Sequence, residues 1–136
     1  MLFRIISIFS YTAILFFLSD QNSFPHEPFF PHEDKIVHII LYLPMGFLLA
    51  GFLNSIFFHS CINQNLTSSR LRILYYLYFF LGAIHLSVMD ESHQFFVPGR
   101  NAEFLDMAAD IIGCATGCYF YLKYSFFKNQ KKLKKT

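Results

Sequence analysis

Residues 36–58 read IVHIILYLPMGFLLAGFLNSIFF, twenty-three positions without an acid or a base apart from His38. A helix needs about 20 mostly apolar residues to cross the hydrocarbon core of a bilayer. This stretch has that length, and it sets the solvent of the whole chain. Three further stretches come close to the same length. Leu2 to Ser19 is interrupted by Arg4, Ile73 to Met89 follows Arg70 and Arg72, and Phe104 to Phe127 carries Asp106 and Asp110 in its first turns. The sequence therefore predicts an all-α membrane protein, a bundle of four transmembrane helices joined by short connections at 20–35, 59–72 and 90–103.

Composition agrees. The 136 residues make one domain, 54% hydrophobic and 15% charged, with 19 Phe and 8 Tyr; soluble chains average roughly 25% charged residues. So large an apolar surplus cannot be hidden inside so small a globule. This argues against a soluble enzyme, a disordered tail and a nucleic-acid module. Three cysteines are too few for a disulfide framework.

The charges fix an expected orientation. With the N-terminus in the cytoplasm, nine of the eleven basic residues fall inside, leaving Lys35 and Arg100 outside with all nine acids. The positive-inside rule favours that arrangement, with N- and C-termini cytoplasmic. The first span has the flavour of a signal peptide, but FFLSDQNSFPHEP offers no small-residue cleavage pattern, so a retained helix is expected.

Polar residues gather at the outer helix ends. In EDKIVHIILY, Asp34, His38 and Tyr42 recur at i, i+4 and i+8 on one helical face, beside Lys35. The third span ends in MDESHQFFVPGR, where a helix continued through Gln94 puts Asp90 and Gln94 on one face, with Glu91 adjacent. Pro98-Gly99 then turns the chain, and Arg100 follows. In EFLDMAADIIG, Asp106, Asp110, Gly113 and Gly117 step along a single face. Charged residues at membrane depth are costly and default to a functional hypothesis.

Asp34, His38, Asp90 and Glu91 are thus the candidates for catalysis. Lys35, Tyr42, Gln94, Arg100, Asp106 and Asp110 are the candidates for holding a substrate. Crowded carboxylates suit general acid/base work, and with one His they suit a divalent cation such as Mg²⁺, although no ligand set stands out. Lys35 and Arg100 suit a phosphate. The rival reading is a clasp, with Asp90 or Glu91 paired to Lys35 or Arg100, and Glu103 and Asp106 placed at a helix N-terminus by the macrodipole. Gly113 and Gly117 form a GxxxG step that predicts close packing within the bundle. Cys114 and Cys118 read as a packing pair, and His85 as a packing residue. The Lys-rich tail reads as an anchor to anionic lipid.

Three segments, DKIVHIILYLPMGFLL, DESHQFFVPGR and DMAADIIGCATG, resemble the VanZ-like family of bacterial membrane proteins. The residues that carry the resemblance are Asp34, Lys35, His38, Tyr42, Asp90, Glu91, Gln94, Pro98, Gly99, Arg100, Asp106 and Gly113. The family commonly has Asn where this chain has Asp110. The resemblance covers roughly Asp34 to Gly117, and with the hydropathy and charge it gives an expected organisation of a first transmembrane helix at 1–20, a VanZ-like domain with three more at 34–127 and a basic cytoplasmic tail at 128–136. It also implies a multi-pass protein of the bacterial inner (cytoplasmic) membrane, connected in some members with the cell envelope; the founding member is linked to teicoplanin resistance. Three functions stay open. One is binding or shielding a lipid-linked anionic envelope precursor, with membrane lipids as partners and no nucleic acid. A second is a hydrolase or transferase acting on a lipid phosphate, and the third is a structural bundle with ion-paired ends.

Overall fold

The structure is a computed structural model and describes residues 1–19, 32–59, 68–98 and 103–133. These form four helices: α1 (Leu2–Ser19), α2 (Glu33–His59), α3 (Ser68–Gln94) and α4 (Phe104–Leu133). The expected four-helix architecture is present. Three of the helices, α1, α2 and α3, are long and apolar enough to cross a membrane. The helices overrun the apolar stretches that announced them. α3 takes in Ser68–Arg72 before its span and Asp90–Gln94 after it, and α4 runs through the first six residues of the basic tail. Lys, Gln and Arg are good helix formers, so loss of hydrophobicity does not end a helix here. Nor does Pro44, which lies exposed inside α2 without ending it.

Side-chain pairings give the directions. Lys35 meets Asp106, His38 meets Asp110, and Gly51 meets Tyr121, so α2 and α4 run parallel. From 35 to 51 they lie side by side over about 24 Å, at about 1.5 Å per residue. α4 therefore crosses the same depth as α2, despite the carboxylates that dilute its hydropathy. α1 is antiparallel to α2, because the Arg4 guanidinium donates to the Gly51 carbonyl and the Tyr11 hydroxyl donates to Leu41 O at 2.8 Å. α3 is antiparallel to α2 as well. Its Tyr75 hydroxyl donates to Ala50 O at 3.3 Å, and its Ser87 reaches Asp110 at the other end. The result is an up-down-up-down bundle with both ends of the described chain on one side.

The glycines explain why α2 and α4 are the tightest pair. A Cβ on Gly113 would lie 2.5 Å from Ile39 O and 2.9 Å from Tyr42 Cβ. One on Gly46 would strike the Cys114 backbone, and one on Gly117 would strike Leu43 O and Phe47 N. The GxxxG step thus packs within the bundle as the spacing predicts, backbone against backbone. Cys114 and Cys118 are free and buried in the core with Tyr42, Met45, Leu49, Tyr75, Phe79 and Tyr121.

Around this core, Ile40, Ile73, Leu81, Ile112 and Phe120 are exposed. α1 is the most peripheral helix, with only Leu15 and Ser19 buried. Apolar side chains spread all round a bundle are the surface a lipid phase requires. His85 is exposed on α3, so the expected packing role does not hold. A helix position between buried Ala83 and Ser87 turns it outward.

Candidate functional site

Each inner stripe changes character towards one end of the bundle. On α3 the buried positions run Tyr75, Phe79 and Ala83, then Ser87, Asp90, Glu91 and Gln94. On α4 the polar positions Asp106 and Asp110 precede Gly113, Cys114, Gly117 and Cys118. On α2 His38 precedes Tyr42 and Met45. The helix directions bring the three polar segments together. All seven described acids (Glu33, Asp34, Asp90, Glu91, Glu103, Asp106 and Asp110) lie at this end, with Lys35. The bases Arg4, Arg70, Arg72, Lys123, Lys128 and Lys131 lie at the other.

At the rim, the Lys35 ammonium is shared by three carboxylates: Asp34 Oδ2 at 2.7 Å, Glu103 Oε2 at 2.6 Å and Asp106 Oδ1 at 2.6 Å. One cation thereby ties the start of α2 to the start of α4. Its side chain is 14% exposed and that of Asp106 6%. Charges so far out of water hold together only when paired.

One turn deeper, His38 Nδ1 lies 2.8 Å from Asp110 Oδ1. Ser87 Oγ donates to the other oxygen, Asp110 Oδ2, at 2.9 Å, and also stands 3.3 Å from Met107 O. Asp110, fully buried, thus links α2, α3 and α4. Where an amide would offer one acceptor, the carboxylate offers two, one for His38 and one for Ser87.

Asp90, Glu91 and Gln94 complete the cluster, all buried. Gln94 Nε2 donates to Asp90 Oδ2 at 3.3 Å, the i, i+4 relation the sequence predicts, and the Tyr42 hydroxyl faces Asp90. Glu91 Oε2 accepts the backbone N–H of Glu103 at 2.8 Å. The remaining oxygens, Asp90 Oδ1 and Glu91 Oε1, are buried and make no hydrogen bond among the described residues. A ring nitrogen of His38 and one carboxylate oxygen each of Glu91 and Asp106 lie within 4.8 Å of one another. His38, Asp90 and Asp110 form a second such group, and Asp34, Glu103 and Asp106 a third.

Nine of the ten residues singled out from the sequence, Asp34, Lys35, His38, Tyr42, Asp90, Glu91, Gln94, Asp106 and Asp110, therefore converge. Arg100 lies outside the described residues. The pairing of Asp90 or Glu91 with Lys35 does not form, because Lys35 is already engaged by Asp34, Glu103 and Asp106. Two contributors were missed. Ser87 was detectable, since 87, 90, 91 and 94 share one helical face. Glu103 meets Lys35 through its carboxylate and Glu91 through its backbone N–H, contacts between separate elements that no sequence pattern marks.

Glu91 also borders a groove of about 400 Å³, lined with it by Val88, Ser92, Phe95, Phe96 and Met107. The groove forms where α3 winds down, with Phe95 N–H bonded to Glu91 O and Phe96 N–H to His93 O, both at 3.0 Å. That turn leaves both phenylalanine rings exposed at the bundle surface.

No curated protein and no solved structure matches the chain. A family model described as VanZ/LLP1 matches residues 1–128, taking in α1 to α3 and most of α4. The three segments read from the sequence, the helical bundle they build and that match agree, and the chain belongs to the VanZ/LLP1 family.

Proposed function

We propose that this end of the bundle faces the outside of the bacterial cytoplasmic membrane and holds the polar head of a lipid-linked envelope anion. The orientation follows from the basic residues at the opposite end. The observation that carries the reading is the position of Glu91. Its carboxylate belongs to the buried polar cluster, and the same residue borders the apolar groove of Val88, Phe95, Phe96 and Met107. A ligand with a charged head and a hydrocarbon chain meets both surfaces at that residue, and pockets of this size hold small amphiphiles.

Lipid extracted from detergent-purified protein and weighed by mass spectrometry tests this. Wild type carries a phosphate-bearing lipid above the level of bulk phospholipid. Val88→Trp, which fills the groove, loses it while the protein stays folded. Equal lipid profiles in the two proteins contradict the reading.

A second reading, hydrolysis of a lipid phosphate, draws on one feature. With Asp110 ionised, His38 Nδ1–H donates to it and leaves the other ring nitrogen as an acceptor, the state a general base requires. Release of inorganic phosphate from a polyprenyl phosphate, abolished by His38→Gln, distinguishes this from binding alone.

A further inference from the structure

Asp90, Glu91, Asp106 and Asp110 are each no more than 5% exposed. They face few cations among the described residues: His38, and one Lys35 already divided among three carboxylates. So many carboxylates at a membrane-embedded helix end call for a counter-charge. One oxygen of the proposed ligand set, Glu91 Oε1, is buried and makes no hydrogen bond among the described residues, where buried polar atoms ordinarily have one.

From this we infer that the acidic end holds a divalent cation of the first transition row, Mn²⁺ or Zn²⁺ in type, with His38, Glu91 and Asp106 as its protein ligands. The three come from three different helices, all are buried, and their ligand atoms lie within 4.8 Å of one another. Metal–ligand bonds of about 2.1 Å set ligand atoms about 3 to 4 Å apart, so the site closes slightly on the ion. Of the other two groups, Asp34, Glu103 and Asp106 close around the Lys35 ammonium, which fills the place an ion would take and meets Asp106 through Oδ1. In the group of His38, Asp90 and Asp110, both oxygens of Asp110 are already taken, by His38 and Ser87.

Asp110 has a separate part. With Asp110 ionised, it accepts the Nδ1–H of His38 and so fixes the tautomer that leaves the other ring nitrogen free to bind an ion, and Ser87 keeps the carboxylate in place. Metal-bound imidazoles are usually oriented this way by a carboxylate behind them. The donor set decides the kind of ion. Imidazole nitrogen favours a first-row transition metal over Mg²⁺ or Ca²⁺, which prefer oxygen throughout. Three protein ligands also leave positions for water or a phosphate oxygen. The inference therefore deepens the reading above by naming what an anionic head meets in an acidic site, yet the ion requires no lipid to bind.

The test uses the full chain in detergent, stripped with a chelator and titrated with Mn²⁺ followed by electron paramagnetic resonance. One saturable Mn²⁺ per chain is expected, displaced by Zn²⁺ and accompanied by a rise in Tm. Glu91→Gln, close to isosteric, weakens Mn²⁺ binding at least tenfold. Asp110→Asn weakens it about 10- to 100-fold, as loss of an orienting carboxylate does. Glu33→Gln, which removes a charge at the same end outside the ligand set, leaves it unchanged. No saturable binding at millimolar Mn²⁺, or binding undiminished in Glu91→Gln, overturns the inference. Metal binding without co-purified lipid sinks the lipid reading alone; lipid retained by chelator-stripped protein that binds no Mn²⁺ sinks only the cation.

Discussion

His38 Nδ1 and Asp110 Oδ1 stand 2.8 Å apart, joining α2 to α4 inside the bundle, and Ser87 of α3 holds the second oxygen of the same carboxylate. Three helices thus converge on one buried charged group. Breaking such a contact from one side leaves the other side buried and unpaired, which typically costs about 3 to 5 kcal/mol. Asp110→Ala is therefore expected to lower stability by about 3 kcal/mol in detergent unfolding. Asp110→Asn, which keeps an acceptor for His38, is expected to cost about 1 kcal/mol or less. Equal losses for the two substitutions, measured by thermal unfolding, contradict this account of the pair.

The rim makes a separate prediction. Lys35 neutralises Asp34, Glu103 and Asp106 together, so Lys35→Met leaves three carboxylates facing one another. Glu103 and Asp34 retain access to water, which moderates the penalty, and a loss of about 2 kcal/mol is expected. Adding Asp106→Asn should restore part of that stability, because it removes the most buried of the three charges. A double mutant no more stable than Lys35→Met shows that the ammonium and Asp106 do not act on each other.

Helix packing predicts a contrast between glycines. A methyl group on Gly117 of α4 meets the backbone of Leu43 and Phe47, which cannot move aside, whereas one on Gly82 of α3 lies 3.2 Å from Leu49 Cδ2, the end of a flexible side chain. Gly117→Ala is expected to destabilise by about 1 to 3 kcal/mol. Gly82→Ala is expected to change stability by less than about 0.5 kcal/mol, since a small adjustment of Leu49 admits it. Unfolding in detergent ranks the two, and a Gly82→Ala loss equal to that of Gly117→Ala rules the contrast out.

Orientation is testable in cells. In a variant whose native cysteines are replaced, a cysteine at 33 should react with an impermeant thiol reagent applied from outside the cytoplasmic membrane. Cysteines at 2 and 130 should be protected until the membrane is opened. Labelling of 2 and 130 from outside reverses the orientation that the basic residues imply.

Much of this was readable in advance, for a definite reason. Residues 36–58 carry an unbroken apolar signal, and Asp34, His38 and Tyr42, or Asp90 and Gln94, repeat at helical intervals that survive folding unchanged. What could not be read were contacts between helices. Asp110 reads as an isolated acid in a span until Ser87 and His38 are seen on either side. Lys35 reads as a free cation suited to phosphate until the starts of α2 and α4 bring three acids around it. Glu103 looks like rim, and its backbone N–H on Glu91 arises only where the approach to α4 passes the end of α3. The helices outrun the apolar spans because hydropathy marks where the lipid stops, while α3, as far as Gln94, and α4 continue beyond it.

The most direct test of the central claim, that the acidic end of the bundle is a ligand site organised by Glu91, is native mass spectrometry of the intact chain released from detergent. Wild type should carry bound mass consistent with a lipid and a divalent ion, and Glu91→Gln should appear bare while melting as a folded protein. A bare chain in both, with Glu91→Gln merely less stable, would make the cluster a structural clasp and contradict the account.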